Sequence, residues 1–226
     1  MNLNKSKDYF NPEDCTDSIH IIGCGAIGST IAEGLTRLGI KQVHLYDFDN
    51  VCAHNITNQM FWEEQIGMPK VNALEDIIHK INPEVDVITH YDGWTENTPL
   101  SGYVFLCVDN IETRQKIVKT HMLNKTIKAF FDLRMRLTDA QHFAASWNTP
   151  NDKPKKFFLE TMNFTHEEAK ESTPVSACGT TLSVFYTVRV ICSYAIANFV
   201  QKVTTNTLYK TVLIDTADFN IEAFDE

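Results

Sequence analysis

A short apolar strand that runs directly into three glycines constrains this chain more than any other feature. Residues 18–28 read SIHIIGCGAIG, so Gly23, Gly25 and Gly28 follow the strand with the spacing GxGxxG. In such a turn the first glycine permits a tight bend, the second lets the backbone approach a phosphate, and the third lets the next helix pack closely. The helix beginning near Ala26 would point free N–H groups and its positive dipole end at the anion.

The residues after the glycines extend this turn into a complete βαβ unit. Thr30 to Leu38 has helical apolar spacing, Gly39 can cap the helix, and Gln42 to Tyr46 predicts a second strand that ends at Asp47. An acidic residue about twenty positions beyond such glycines is where a ribose hydroxyl is held. The order of strand, turn, helix, strand and acid therefore favours a nucleotide site over a glycine-rich turn that binds nothing.

Length and charge limit the other classes of function. The chain has 226 residues and a formal net charge of −9. This length suits one α/β domain over 1–226, with an N-terminal arm (1–17), a nucleotide-binding core (18–110) and a remainder (111–226). The acidic balance argues against binding to nucleic acid or to an anionic membrane, because both need a basic surface.

The cysteines and the apolar segments indicate a reducing, cytoplasmic setting. Six cysteines occur without any CxxC pair, so neither a disulfide scaffold nor a cysteine zinc site is expected. The first residues lack the apolar segment of a signal peptide. The one long apolar stretch, Thr181 to Val200, contains Arg189 and several hydroxyl side chains, which favour a buried core helix over a membrane span.

The rest of the chain predicts a Rossmann-like, doubly wound α/β fold whose mainly parallel sheet has helices on both faces, with a mobile crossover near 148–175. The long segment after Asp47 reads as a binding loop, since loops of this length in compact domains are usually functional. The further elements expected are a helix over Lys70–Ile81, strands over Val85–Thr89 and Tyr103–Val108, a helix over Ile111–Leu123, strands over Ile127–Phe131 and Gln141–Trp147, one short helix over Thr165–Lys170, and a last strand over Thr211–Ile214 before an acidic tail.

Several motifs in this order resemble the ThiF, MoeB and HesA group of adenylating enzymes, which are relatives of the ubiquitin-activating enzymes. GCGAIG is followed by DFDNV, HNITNQ, GMPK, INPEV and CVDNIETR, all within residues 23–114. A nicotinamide-dependent dehydrogenase would need the glycines and Asp47 but none of the later motifs. The segment from FDLRMR through CGTT to the apolar helix is similar to small members of the group.

The resemblance implies ATP- and Mg²⁺-dependent adenylation of a carboxylate, usually at the C-terminal glycine of a small ubiquitin-like or sulfur-carrier protein or peptide, with release of pyrophosphate. It also implies a homodimer. Carried over to this sequence, the expected contacts are phosphates at Gly23, Gly25, Ala26, Gly28 and Lys70, ribose at Asp47, triphosphate at Asn55 and Gln59, adenine near Asn110, Mg²⁺ at Asp109, and a loop shaped by Asp49.

Two of these assignments have ordinary structural alternatives. Lys70 could be a solvated lysine at a helix start, and Asp109 could cap the helix that begins at Ile111. The sequence also departs from the group at Asn58, where better-known members carry an arginine before the glutamine. Arg134 or Arg136, or an arginine from a partner subunit, could replace that cation.

Cys178 precedes an apparent helix start, where the helix dipole favours a thiolate. The resemblance implies a cysteine with sulfur chemistry after such a crossover, and therefore a thioester or acyl-disulfide role for Cys178. The alternative is a small buried residue. For the whole chain the alternatives are a non-catalytic nucleotide-binding module of the same fold and, from another class, an NAD-dependent oxidoreductase.

Overall fold

A computed structural model describes residues 1–177 and 181–225, which form one sheet with helices on both faces. The strands are β1 Ile19–Ile22, β2 Gln42–Tyr46, β3 Asp86–His90, β4 Gly102–Leu106, β5 Ile127–Met135, β6 Asp139–Ser146, β7 Tyr209–Asp215 and β8 Asn220–Asp225. The helices are α1 Ala26–Arg37, α2 Lys70–Ile81, α3 Ile111–Thr120, α4 Lys153–Glu160, α5 His166–Glu171 and α6 Phe185–Thr205.

The sheet has the order β3-β2-β1-β4-β5-β6-β7-β8. Its first five strands are parallel and its last three are antiparallel. The order reverses between β1 and β4, because the chain returns from β3 at the edge to the other side of β1. Ligands of doubly wound sheets bind at the carboxyl ends of the strands beside such a reversal. The predicted Rossmann-like, mainly parallel architecture is confirmed.

Two apolar cores cover the two faces of the sheet. On one face α1, α2 and α6 pack against alternate strand residues such as Ile21 and Phe105. On the other face α3 and α4 pack against the intervening residues, including Leu106 and Phe130. This division explains why β4 is a continuous apolar run, since both of its faces are buried.

The long apolar helix α6 lies against α1 and the sheet, as the prediction of a buried core helix requires. Its residues Val188, Ile191 and Phe199 are fully buried. None of the helices in the described part of the chain combines the length and apolarity needed to cross a membrane.

Two elements correct the sequence prediction. In the crossover, where only α5 was expected, α4 also forms, and Phe158 of this helix is fully buried against Phe130 and Trp147. The acidic tail forms β8, whose residues are all exposed and which is defined by its backbone pairing with β7. Neither element has a strong local sequence pattern, because α4 depends on tertiary packing and β8 depends on pairing with β7.

Cys178, for which a covalent role was predicted, lies outside the residues that the structure describes.

Candidate functional site

The glycine turn lies at the carboxyl edge of the sheet beside the reversal of strand order. Gly23 has a φ of +96°, and a Cβ there would approach the backbone of Cys107 and Val108 to 2.8 Å. A Cβ on Gly28 would lie 1.8 Å from the carbonyl oxygen of Gly23, so α1 packs directly on the turn. Gly25 precedes α1, and a Cβ there would meet no atom within 4 Å. The turn therefore presents open backbone at the start of α1, as an anion site requires.

Asp47 ends β2 next to this turn and braces it. Its Oδ2 accepts a hydrogen bond from the backbone N–H of Cys24 at 2.7 Å, and its Oδ1 accepts one from Asp49 N–H at 2.9 Å. Burial raises the pKa of the Asp47 carboxyl, while Lys70 and the two backbone donors act in the opposite direction. The side chain is half-buried, and each carboxylate oxygen keeps a second lone pair for a further donor.

Lys70 is the first residue of α2, and its side chain turns inward. Its Nζ lies 2.8 Å from Oδ2 of Asp49, and its backbone N–H donates to the Asp49 carbonyl at 2.9 Å. Lys70 is 8% exposed. The alternative of a solvated lysine is therefore wrong, and the structure brings one buried ammonium group to the loop that follows β2.

The loop between Asp47 and Lys70 contains 3-10 turns over Ala53–Thr57 and Glu63–Gln65. Asn55 is buried and closes the first turn, because its Oδ1 accepts from Cys52 N–H at 2.8 Å. Asn58 donates through Nδ2 to the hydroxyl of Ser183, which lies just before α6, at 2.7 Å. In the described part of the chain, Oε1 of Gln59 is buried without a hydrogen-bond partner. Such an orphaned amide atom is typical of a site that receives a ligand or water.

Asp109 and Asn110 follow β4 on the other side of the turn, and they have different roles. Asn110 caps α3, since its Oδ1 accepts from Thr113 N–H at 2.8 Å and from the Thr113 hydroxyl at 3.0 Å. The alternative in which Asp109 is the cap is therefore wrong. Asp109 is exposed, and within residues 1–177 and 181–225 its carboxylate makes no hydrogen bond or ion pair. Its oxygens are available to a ligand.

A buried ionic cluster behind Asp109 was missed by the sequence analysis. Asp132, at 0% exposure, forms ion pairs with both Arg114 and Arg134. Arg114 also donates to the carbonyl oxygens of Leu106, at 2.9 Å, and of Val108. The signal was present in the motif CVDNIETR, which contains Arg114, but sequence spacing alone does not show that this guanidinium turns back to β4.

The two arginines expected to replace the loop cation are engaged elsewhere. Arg134 donates to Asp132 and to the carbonyl and hydroxyl oxygens of Thr161, and its guanidinium lies over the rings of Phe143 and Phe164. Burial lowers the pKa of Arg134, which Asp132 opposes. Arg136 forms an ion pair with Asp139.

A different arginine approaches the glycine turn. Arg189 of α6 donates to the hydroxyl of Thr30 on α1 at 2.5 Å, and that hydroxyl donates to the carbonyl of Ala26 at 2.9 Å. The signal for this residue was that Arg189 is the one charge within the apolar stretch Thr181 to Val200. The fold alone joins it to the start of α1, 159 residues away.

In the described part of the chain, no three His, Cys, Asp or Glu side chains form a cluster that could hold a metal ion. A single free carboxylate such as Asp109 suits Mg²⁺ bound together with phosphate oxygens, because Mg²⁺ in nucleotide sites takes one or two carboxylates and fills its other positions with phosphates and water.

The ThiF family profile matches residues 15–223. Ubiquitin-like modifier-activating enzyme 5 of Drosophila simulans is 33% identical over 132 residues, which are 51% of this chain and 32% of that protein. The Rattus norvegicus protein of the same name is 35% identical over 120 residues, which are 45% of this chain and 30% of that protein. The matched segment spans about a third of the length of these relatives.

Solved structures share the fold at low identity. E. coli MccB with ATP superposes with a TM-score of 0.70 at 16% identity, over 95% of this chain and 65% of that chain. PaaA superposes with a TM-score of 0.70 at 17% identity, over 95% of this chain and 65% of that chain. Because the family profile extends over nearly the whole sequence and the fold agrees with it, the chain belongs to the ThiF family.

Proposed function

We propose that this chain uses ATP and Mg²⁺ to adenylate the C-terminal carboxylate of a small ubiquitin-like or sulfur-carrier protein, or of a peptide, with release of pyrophosphate. One observation carries the proposal: the buried ammonium of Lys70 and the carboxylate of Asp109, which has no partner among the described residues, flank an open glycine turn at one edge of the sheet. The names of the relatives support the same activity.

ATP would occupy the edge from β2 to β4. The N–H groups at Gly25 and Ala26 and the dipole of α1 would bind phosphate oxygens, while Asp47 would accept hydrogen bonds from ribose. Gln59 would donate from its Nε2 to the triphosphate, and Asn55 would hold the loop that carries it. Asn110 would lie near the adenine, with its Nδ2 facing the base because its Oδ1 already caps α3.

The chemistry requires an oxygen of the substrate carboxylate to attack the α-phosphorus of ATP while the bond from that phosphorus to pyrophosphate breaks. Catalysis of this step depends on positioning and on cations that stabilise charge on the phosphate oxygens. Lys70 would supply a cation from the protein. Mg²⁺, when bound by Asp109 and phosphates, would neutralise further charge. We assign Arg134 to the scaffold, because its guanidinium is already engaged by Asp132 and Thr161.

We also propose that the chain works as a homodimer. The outer face of α6 exposes the apolar rings of Phe185 (57%), Tyr186 (45%) and Tyr194 (38%), and Arg189 lies on the same helix. A second copy is a suitable cover for such a face. Analytical ultracentrifugation checks this, and a Tyr186→Glu, Tyr194→Glu variant should sediment as a monomer. A wild-type chain that sediments as a monomer at micromolar concentration would refute it.

The experiment for adenylation is ATP–pyrophosphate exchange with Mg²⁺ and a carrier protein or peptide with a C-terminal glycine. Exchange by wild type should fall by about 100-fold or more in Lys70→Ala and in Asp109→Ala, because each removes an electrostatic contact to the transition state. Lys41→Ala is the matched control, since Lys41 is an exposed lysine paired with Glu13. Exchange that survives in both site variants contradicts the assignment.

The alternative of a nucleotide-binding module without catalysis is not favoured by the family match, and one residue keeps it testable. Asn58 stands where related enzymes carry a cation, and its amide is bound to Ser183. Tight binding of Mg-ATP with no exchange for any carrier would support this module. Thermal stabilisation by NAD but not by Mg-ATP would instead favour an oxidoreductase.

A further inference from the structure

The backbone that leads from β4 to Asp109 is held by a side chain from the following helix. Arg114, at 4% exposure, reaches back from α3 and donates to the carbonyl oxygens of Leu106 and Val108. Leu106 and Val108 are the neighbours of Cys107 in the chain, and Val108 directly precedes Asp109. The guanidinium therefore fixes the last peptide groups before the carboxylate.

Asp132 fixes the guanidinium in turn. Its carboxylate is fully buried on β5 and forms an ion pair with Arg114 on one oxygen and with Arg134 on the other. Arg134 is anchored at Thr161, near the end of α4, and between two phenylalanine rings. Arg114 thus belongs to a rigid cluster of two guanidinium groups and one carboxylate, and it has little freedom to leave the two carbonyl groups.

Asp109 itself has no side-chain partner among the described residues, so the place of its carboxylate depends on where the backbone holds its Cα and Cβ. That backbone is held on both sides. Arg114 binds the carbonyl groups that precede it, and the Asn110 cap fixes the residue that follows it. The two restraints therefore fix the backbone from which this exposed carboxylate extends toward the site.

We propose that Arg114 is a positioning residue that directs the Asp109 carboxylate toward the metal ion of the bound nucleotide. The proposal rests on the proposed function, because it assumes that Asp109 binds Mg²⁺ together with ATP. Arg114 does not touch the nucleotide. It acts through the peptide groups between β4 and Asp109. The fixed, spread donors of its guanidinium bind two carbonyl oxygens and a carboxylate at once, a geometry that the compact ammonium group of lysine does not reproduce.

The test is the Mg²⁺ dependence of ATP–pyrophosphate exchange by the full chain. Arg114→Lys keeps the charge but loses the simultaneous contacts, and we expect it to raise the half-saturating Mg²⁺ concentration by about 10-fold, the usual effect of losing a partner that orients a metal ligand. At saturating Mg²⁺ its KM for ATP should change by less than about threefold, since the phosphate and ribose contacts remain.

A variant that is merely destabilised controls for a structural role of Arg114. Phe158→Leu loosens the apolar core beneath α4, where the ring of Phe158 packs on Phe130 and Trp147 and not on Arg114 or Asp109. It should lower the melting temperature while leaving the Mg²⁺ midpoint at the wild-type value. A shift of the Mg²⁺ midpoint in Phe158→Leu as large as that in Arg114→Lys would overturn the proposal.

Asp132→Asn provides a second variant of the same contact. It retains the shape of the side chain and weakens the hold on Arg114, so the Mg²⁺ midpoint should rise in the same direction by a smaller factor. Wild-type midpoints in both Arg114→Lys and Asp132→Asn would refute the positioning role while leaving adenylation intact. A wild-type chain that neither binds Mg-ATP nor exchanges pyrophosphate would remove the proposed function and the positioning role together.

Discussion

The Lys70 ammonium lies 2.8 Å from the Asp49 carboxylate, and Lys70 is buried while the Asp49 side chain is 55% exposed. Asp49 is therefore the partner that holds the ammonium at the edge of the glycine turn. An exposed carboxylate contributes only modestly to such a pair, because water and salt screen it. Its effect should appear in nucleotide binding more than in stability.

We expect Asp49→Ala to weaken the apparent affinity for Mg-ATP by about fivefold, equivalent to about 1 kcal/mol. The reason is that Lys70 loses the partner that orients it before the phosphates arrive. Isothermal titration calorimetry measures the change. Glu13→Ala breaks another ion pair, with Lys41, on a remote surface, and it should leave ATP affinity unaltered. Equal affinities of Asp49→Ala and wild type would rule out an orienting role.

Substitutions of the neighbouring residues Asp109 and Asn110 should affect different properties, activity for Asp109 and stability for Asn110. Asn110→Ala removes the cap of α3 and should cost about 1 kcal/mol of unfolding free energy. Asp109→Ala removes an exposed carboxylate without partners among the described residues and should change stability by less than about 0.5 kcal/mol. Urea denaturation gives the unfolding free energy of both variants, and ATP–pyrophosphate exchange at several Mg²⁺ concentrations gives their activity. A stability loss in Asp109→Ala equal to that in Asn110→Ala would restore Asp109 as a structural cap.

Gly28 should tolerate no side chain. A Cβ at this position would lie 1.8 Å from the Gly23 carbonyl oxygen, which belongs to rigid backbone. We expect Gly28→Ala to cost about 3 kcal/mol and to abolish ATP binding, because α1 must move away from the turn. Gly34→Ala in the same helix is the matched control. Its Cβ would meet only the flexible end of Ile196, and the gain in helix propensity of about 1 kcal/mol offsets part of the cost. A milder effect of Gly28→Ala than of Gly34→Ala in denaturation and ATP binding would contradict this packing.

Buried histidines should make the protein less stable in mild acid. Burial lowers the pKa of His142 to about 4 and that of His20 to about 3. His142 donates from Nδ1 to the Asp132 carbonyl, so its Nε2 accepts from Asn198 and would confront a second donor if it were protonated. The unfolded chain therefore binds the proton first as the pH falls. This stability is present above about pH 6.5 and is lost from there towards pH 4, by about 1.4 kcal/mol per pH unit for each histidine.

His142→Gln should reduce the change of unfolding free energy per pH unit by the contribution of one histidine. The reason is that glutamine can donate to the Asp132 carbonyl and accept from Asn198 without titrating. Urea denaturation at several pH values between 6.5 and 4 gives the slope. His54→Gln is the control, since His54 is exposed. An unchanged slope in His142→Gln would mean that His142 is charged in the folded protein.

Much of the fold follows from local sequence. The GxGxxG turn, the strand that precedes it and the acids at the ends of β2 and β4 were predicted correctly, because strand and helix periodicity and glycine conformations depend on neighbouring residues. Lys70 at the start of α2 was also placed correctly. The helix α4 was missed because its identity depends on Phe158 finding a pocket between Phe130 and Trp147, which lie in other elements.

The sequence by itself determined which residue types stand at the carboxyl ends of the parallel strands, since chain order and strand direction bring those ends to one edge. Only the tertiary structure decided how their side chains are used. In the folded protein Asn58 donates a hydrogen bond to Ser183, which is 125 residues away, and Lys70 is buried against Asp49. Arg134 is held by Asp132, and Asn110 caps α3. The physical reason is that hydrogen bonds and ion pairs depend on distance and direction in space, and spacing along the chain does not fix these for residues that meet only after folding.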